Sequence, residues 1–489
     1  MVRYVVRRER AAQLKTPMSF DVERHLAPGS LPLSEKMKII LVVGDTLRAD
    51  HLGCYGYPKN TSPAIDVFSR DSSLFEDAIS SDVPTQPSFT SLMTGLRGIH
   101  NGVISHHPSE SIDDSVPLLQ QRLGAKMTTG AVSTLYIMKK YFARGFHYYM
   151  NPVASNPDRI QRVQAEEINS FAIPWIRQHA NEDFFLFVHY WDPHTPYLPP
   201  PQYRIFYQGT YNDPANHSLD AFKKTDLWYH ALSWLKETKI EDVTDIDYIV
   251  SLYDGEIRHM DDAFKELLKE VEDSGITEDT LVIFTADHGE SLGEHGFYFD
   301  HADVYQTTIH VPLIIKWPGH FPKKRVRGLV QNIDITRTLL ELAGLSAEGL
   351  EGINLLNALN GEPRSRAFSN QALWTAKRTM IKDLEGHRYK VVITYDASYW
   401  PVPPVELYDL STDPNEQKDL SDSDKELRDQ LELELRRWEQ EQLGPKVDPL
   451  KKITEVGLPA RAWVEYGLRR YKEASYEQQR NLIDVPKRT

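Results

Sequence analysis

Two stretches, Met37–Val43 and Leu281–Ala286, are apolar or β-branched almost without interruption. Runs of that length and composition predict strands buried on both faces, as in a parallel sheet. Each stops abruptly at an acid: Gly44–Asp45 closes the first, and Asp287–His288–Gly289–Glu290 closes the second. A third run, Phe184–Tyr190, predicts another strand of the same kind. In open α/β sheets, ligands bind outside the carboxyl ends of the strands. Two parallel strands would therefore bring Asp45, Asp287 and His288 within one coordination shell. Oxygen ligands suit a hard cation, and an imidazole widens the choice to manganese, iron or zinc. Further donors follow in Gly293–Glu294–His295–Gly296 and Asp300–His301.

Helical spacing of apolar residues predicts helices over Pro63–Arg70, from Pro87 to a cap at Gly95, over Ile333–Ala343, and over Asp424–Gln442. The longest runs from Asp245 to Ser274; its Asp254, Glu256, His259, Asp261 and Asp262 read by default as a solvated face. Ser73–Leu74–Phe75 reads as the lead into a loop, and residues 199–244 as a substrate-side loop region. Lys390–Thr394 and Val405–Tyr408 predict strands of a smaller antiparallel unit. The fold class is thus α/β: a mostly parallel central sheet flanked by helices, with a smaller C-terminal antiparallel sheet-and-helix subdomain. The expected division is an arm over 1–35, a large domain over 36–360, a subdomain over 361–443 and a tail over 444–489 that wraps the body or mediates oligomerisation.

Composition narrows the function classes. Lys+Arg 56 against Asp+Glu 70 gives a formal charge of −14, which disfavours nucleic acid as a partner. The single cysteine, Cys54, excludes an intrachain disulfide. No apolar run approaches the roughly 20 residues of a membrane span, and the basic N-terminus lacks the apolar core of a secretory signal, so a cytoplasmic, non-membrane protein is expected.

Thr85 lies between two prolines in Val83–Pro84–Thr85–Gln86–Pro87, at the start of a helix, where backbone N–H groups favour an anion. It reads either as an N-cap or as a hydroxyl nucleophile that a metal activates.

Asp45–Thr46–Leu47–Arg48–Ala49–Asp50–His51–Leu52, Thr85–Gln86–Pro87–Ser88 and Thr285–Ala286–Asp287–His288–Gly289–Glu290 together resemble the sulfatase family of the alkaline phosphatase superfamily. Gly293–Glu294–His295–Gly296 with Tyr305 and Val311–Ile314 fits the same pattern, as does the late Glu406–Leu410 with Asp413–Glu416. The resemblance implies an alkaline-phosphatase-like domain, one divalent metal held by Asp45, Asp287, His288 and the oxygen of Thr85, and a nucleophile at Thr85. It implies substrate contacts from His194, in the Pro193–His194–Thr195–Pro196 element, and from His301, beside the leaving group.

Sulfatases proper carry a Cys or Ser that becomes formylglycine, with an Arg four residues on. Thr85 and Phe89 stand at those positions. Threonine cannot become formylglycine, so the aldehyde-hydrate mechanism is closed to this chain. The family's Gly-Lys-Trp-His element is absent; near its place Lys139 and Lys140 read either as the source of that cation or as a solvated pair. The function implied is a metal-dependent hydrolase or transferase acting on sulfate, phosphate or phosphonate esters of a small molecule or glycan. The alternative is a catalytically weak homologue that keeps the metal and serves in binding or assembly.

Overall fold

A computed structural model describes residues 36–107, 110–152, 163–301 and 303–469. The expected N-terminal arm and the end of the tail lie outside these residues. In chain order the strands of the main sheet are β1 (Lys38–Gly44), β2 (Ser73–Ile79), β4 (Thr128–Val132), β5 (Tyr148–Met150), β6 (Phe184–Tyr190), β7 (Thr280–Ala286), β10 (His310–Lys316) and β11 (Lys324–Gln331). A short β3 (Asp82–Val83) and a small ribbon of β8 (Ser291–Leu292) with β9 (Tyr298–Asp300) complete the numbering up to β11. The main sheet has eight strands in the order β11-β2-β10-β7-β1-β6-β4-β5. Its pairs are parallel except where β10 meets β2 and β7.

The three runs read as buried strands are β1, β6 and β7, and every residue of all three is buried. They lie side by side at the centre of the sheet, where neighbouring strands and flanking helices exclude water from both faces. Ser73–Phe75 does not lead into a loop; it opens β2. Glu76 and Asp77 break the apolar run, which hid the strand. Both are paired: Glu76 with Arg325 and Arg327, and Asp77 with Arg388.

The second sheet, in the order β15-β14-β13-β12-β3, contains β12 (Arg366–Ala372), β13 (Ala376–Leu384), β14 (His387–Asp396) and β15 (Val405–Asp409). Its four C-terminal strands are antiparallel, and β3 joins the edge parallel to β12. Two residues after β3 stands Thr85, so that position lies at the junction of the two sheets. The helix Lys425–Leu443 covers the C-terminal sheet through Leu431, Leu435 and Trp438, the last stacked on Phe368 at 3.9 Å. The described part of the tail packs on the same sheet. Asp448 and Glu439 pair with the buried Arg378, and Leu450 and Ile453 pack with Ala372 and Ala376. Residues 199–244 include the helices Asp220–Lys223 and Leu227–Glu237, so the region is more than loop. Among the described residues no helix is long and apolar enough to cross a membrane.

The long helix, Ile246–Asp273, is capped by Asp245, whose side chain accepts from Asp247 N. Four of the five residues read as a solvated face are covered, because this helix is packed on several sides, while Asp262 is only half-buried. Asp254, Glu256, His259 and Asp261 are all buried. Asp261 accepts hydrogen bonds from Ala64 N and Ile65 N at 2.9 and 2.8 Å and so caps the helix Pro63–Arg70. Asp254 receives His51 Nδ1 and Lys59 Nζ at 2.8 Å and the Tyr57 hydroxyl at 2.9 Å, tying the loop after β1 to the long helix.

Burial works against the Asp254 carboxylate, but His51 and Lys59 hold its pKa below the ordinary value. A depressed folded-state pKa stabilises the native state above the unfolded value of about 3.9 and loses that contribution as pH falls through the folded one. Asp254→Ala is therefore expected to lower stability at pH 7 by about 3 kcal/mol. Denaturant titrations at descending pH should show its gap to wild type narrowing below about pH 4.

Candidate active site

The site is built on the pairing of β1 with β7. Gly44 lies opposite Ala286 in the parallel register, so the next residues along, Asp45 and Asp287, leave the sheet side by side. Both are buried, as is His288, and donor atoms of the three lie within 4.8 Å of one another. Asp287 Oδ1 accepts from Thr46 N at 3.1 Å and His288 N at 2.8 Å. Thr46 reaches this position with φ of 56°, a left-handed turn uncommon for a threonine. On the other side, His189 Nε2 at the end of β6 donates to Asp45 Oδ2 at 3.2 Å. Asp45 Oδ1 and Asp287 Oδ2 remain without a hydrogen-bond partner among the described residues.

Two acids cannot share a buried site cheaply as bare carboxylates. Burial pushes the pKa of both well above the ordinary range, and Asp45 adds its repulsion on Asp287. A divalent cation removes that conflict, and the two orphaned oxygens are where it would be held. His288 suits the same role. Its Nδ1 donates to the carbonyl of Gly289 at 2.8 Å, which leaves the Nε2 lone pair available as a ligand. Carboxylate oxygens with one imidazole fit calcium, magnesium, manganese or zinc without choosing among them.

Thr85 completes this group. It is the first residue of the helix Thr85–Thr94, and its hydroxyl lies 3.2 Å from His288 Nε2. Pro84 occupies the N-cap, and the Thr85 hydroxyl makes no capping bond, so the capping reading does not hold. Phe89 sits one turn on, its ring 4.7 Å from that of His189. The position where the resemblance expects an arginine is thus an apolar support for the histidine that holds Asp45. Of the two lysines read for the missing Gly-Lys-Trp-His element, Lys139 donates its Nζ to the carbonyls of His107 and Glu110, and Lys140 is exposed.

The histidines gather beside the acids. The ring of His301 lies 4.6 Å from that of His288, 5.6 Å from that of His194 and 6.5 Å from that of His106. His194 Nδ1 donates to the Thr195 carbonyl at 2.6 Å, leaving Nε2 for a substrate. Burial and the charge on His301 lower the His194 pKa to about 4. His301 goes the other way. Burial opposes its charge, but Asp300, Glu290 and Asp45 push its pKa up to about 9, so it holds a proton at neutral pH.

His301 owes its position to the C-terminal sheet. Lys377 from β13 pairs with Asp303 at 2.8 Å and with Glu406 at 2.9 Å, and Lys390 from β14 donates to the Val304 carbonyl at 2.6 Å. The Tyr305 hydroxyl donates to Glu406 at 2.6 Å. Glu294 and His295, read from sequence as further donors, turn elsewhere. Glu294 pairs with Arg48 at 2.7 Å, and the His295 ring stacks on Tyr305 at 3.8 Å.

Sequence reasoning missed His106, His189 and Glu290 as parts of the site. His189 carried a signal, being the one polar residue in the run Phe184–Tyr190 apart from the tyrosine hydroxyl. His106 gave none, since its loop has no period.

Comparison with known proteins agrees with this geometry. A family model described as Sulfatase matches residues 38–345, well over half of the chain. The chain belongs to the sulfatase family. A second model, N-sulphoglucosamine sulphohydrolase C-terminal, matches residues 293–441, the region that carries the second sheet. The chain is similar to an ulvan-active sulfatase of Formosa agariphila, 24% identical over 87% of this chain and 84% of that one. It is also similar to human N-sulphoglucosamine sulphohydrolase, 24% identical over 81% of this chain and 88% of the relative. Among solved structures, a 2-O GAG sulfatase superposes with a TM-score of 0.66 at 19% identity, covering 83% of this chain and 93% of that one. A phosphonate monoester hydrolase from Silicibacter pomeroyi superposes with a TM-score of 0.67 at 19% identity, covering 84% and 96%. These superpositions share the α/β sheet with its smaller second sheet, the alkaline-phosphatase-like fold of sulfatases.

If His189 holds Asp45 for a cation, His189→Phe should preserve the packing yet lower affinity for a divalent ion about 10–100-fold. Chelator competition on the metal-stripped protein measures this. Unchanged affinity would separate His189 from the cation site.

Proposed function

We propose that this sulfatase-family chain hydrolyses sulfate, phosphate or phosphonate esters through Thr85 as nucleophile, on a small-molecule or glycan substrate. The observation that carries the reading is the Thr85 hydroxyl 3.2 Å from His288 Nε2, at a helix start beside two buried acids. A divalent ion held by Asp45, Asp287, His288 and the Thr85 oxygen would lower the hydroxyl's pKa and offset negative charge on the substrate. The relatives supply the ester class, since they include sulfatases of glycans and a phosphonate monoester hydrolase fold.

In this scheme Thr85 gives up its hydroxyl proton to solvent and its Oγ1 attacks the sulfur or phosphorus, the new bond forming as the bond to the leaving oxygen breaks. The N–H groups at the start of the Thr85 helix favour the anion at that point. His301, protonated at neutral pH, gives its proton to the leaving oxygen. His194, neutral with a free Nε2, takes a proton from the water that then attacks the threonyl ester, releasing the anion and Thr85 as the alkoxide that made the attack; His194 then passes its proton to solvent and His301 regains one. Phe89 and Trp191 pack around His189 and keep the floor of the site dry.

A panel of aryl sulfates, phosphate mono- and diesters and phosphonate monoesters tests the scheme. Thr85→Ala should lose about 10⁴-fold or more in kcat while binding metal and folding, whereas Thr85→Ser should retain turnover. His301→Gln should lose about 10²–10⁴-fold on esters with poor leaving groups and less on activated aryl esters, which need no proton. Turnover undiminished in Thr85→Ala would contradict the nucleophile. A wild type that binds metal yet cleaves nothing on the panel would favour a binding or assembly role.

A further inference from the structure

A second group of metal-competent side chains lies apart from Asp45, Asp287 and His288. Asp192, just past the end of β6, meets Glu256 and His259 of the long helix, and donor atoms of the three lie within 4.8 Å of one another. They are 6%, 5% and 4% exposed, so each is more than nine-tenths buried. Asp192 Oδ2, Glu256 Oε2 and His259 Nδ1 have no hydrogen-bond partner among the described residues. Such atoms are costly to bury unless something fills the space between them.

The spacing says what kind of thing. His259 Nδ1 is 3.7 Å from Asp192 Oδ1 and 3.9 Å from Glu256 Oε2. Those distances are too long for hydrogen bonds, which close to about 2.7–3.2 Å. Two ligand atoms about 2.1–2.2 Å from a shared ion, opened by roughly 110–130°, lie about 3.4–4.0 Å apart. The observed separations fall in that interval.

The partner of the imidazole agrees. His259 Nε2 lies 2.5 Å from Glu166 Oε2, and a carboxylate can only accept, so Nε2 carries the hydrogen. A neutral ring then presents the Nδ1 lone pair to Asp192 and Glu256. This carboxylate–histidine arrangement is the one that orients metal-ligating histidines.

We propose that Asp192, Glu256 and His259 form a second cation site, taking a divalent first-row transition ion such as zinc or manganese. One imidazole with two carboxylates, the donor set of the first site, admits these ions. The site has access and a consequence. Asp192 and Glu256 line a cavity of about 400 Å³ that His194 and Arg204 also line. Asp192 stands two residues before His194, and Leu198 N donates to Glu256 Oε1 at 2.5 Å. An ion here would fasten both ends of the segment that carries His194 to the long helix. The inference does not depend on Thr85 being the nucleophile.

The test uses the full chain, stripped of metal and refilled with zinc alone. Elemental analysis after dialysis counts the bound ions, and anomalous diffraction at the zinc edge locates them. Two equivalents are expected in wild type, with one anomalous peak at each cluster. Glu256→Gln should retain one equivalent, at Asp45, Asp287 and His288. Asp45→Asn should retain the other, between Asp192, Glu256 and His259. Should a variant fail to fold, the wild-type anomalous map decides by itself. A single equivalent in wild type with no peak at Asp192, Glu256 and His259 would overturn the proposal. A peak there but none at Asp45 would uphold it while sinking the metal reading of the active site.

Discussion

The site rests on one register. Because Gly44 faces Ala286 across two parallel strands buried on both faces, Asp45 and Asp287 must emerge beside one another in a place without water. Neither acid can move away: Thr46 N and His288 N hold one, and His189 holds the other. Like charges so fixed need a positive ion or a proton, and the orphaned oxygens face that need together. Slipping β7 by a single residue would send its side chains to the opposite face and dissolve the arrangement.

The second sheet supplies what the first cannot. Its edge strand β3 delivers Thr85, and its lysines, Lys377 and Lys390, grip the chain just after His301. The stretch around Glu406 thus has a physical role far from the metal-competent acids. Glu406 accepts from Tyr305 and Lys377, which fixes the loop that carries the protonated histidine. Thr85 and His301 are thereby referred to one framework, and the acids to another.

Much of this was legible in the chain. The runs Phe184–Tyr190 and Pro63–Arg70 predicted their elements to the residue, because period and terminators agreed there. Asp45, Asp287 and His288 were legible because each follows an apolar run whose end must lie at a sheet edge. Other features depended on tertiary packing. Glu76 and Asp77 masked β2 since their arginine partners, Arg325, Arg327 and Arg388, lie far along the chain. Glu256 and His259 looked like a solvated face because helical spacing cannot tell that two sides of a helix will be covered. The strands β12 and β13 mix charged residues such as Lys377 and Arg378 into the core, where distant acids neutralise them. Such partners are invisible to local pattern.

The proposed chemistry turns on a bond between Thr85 and the transferred group. Rapid acid quench of the metal-loaded protein during turnover, followed by mass spectrometry of the peptide containing Thr85, tests it most directly. A sulfuryl or phosphoryl adduct on Thr85 is expected to build up within the first turnover and to be absent from Thr85→Ala. Turnover at the same rate with Thr85 unmodified at every quench time would contradict it.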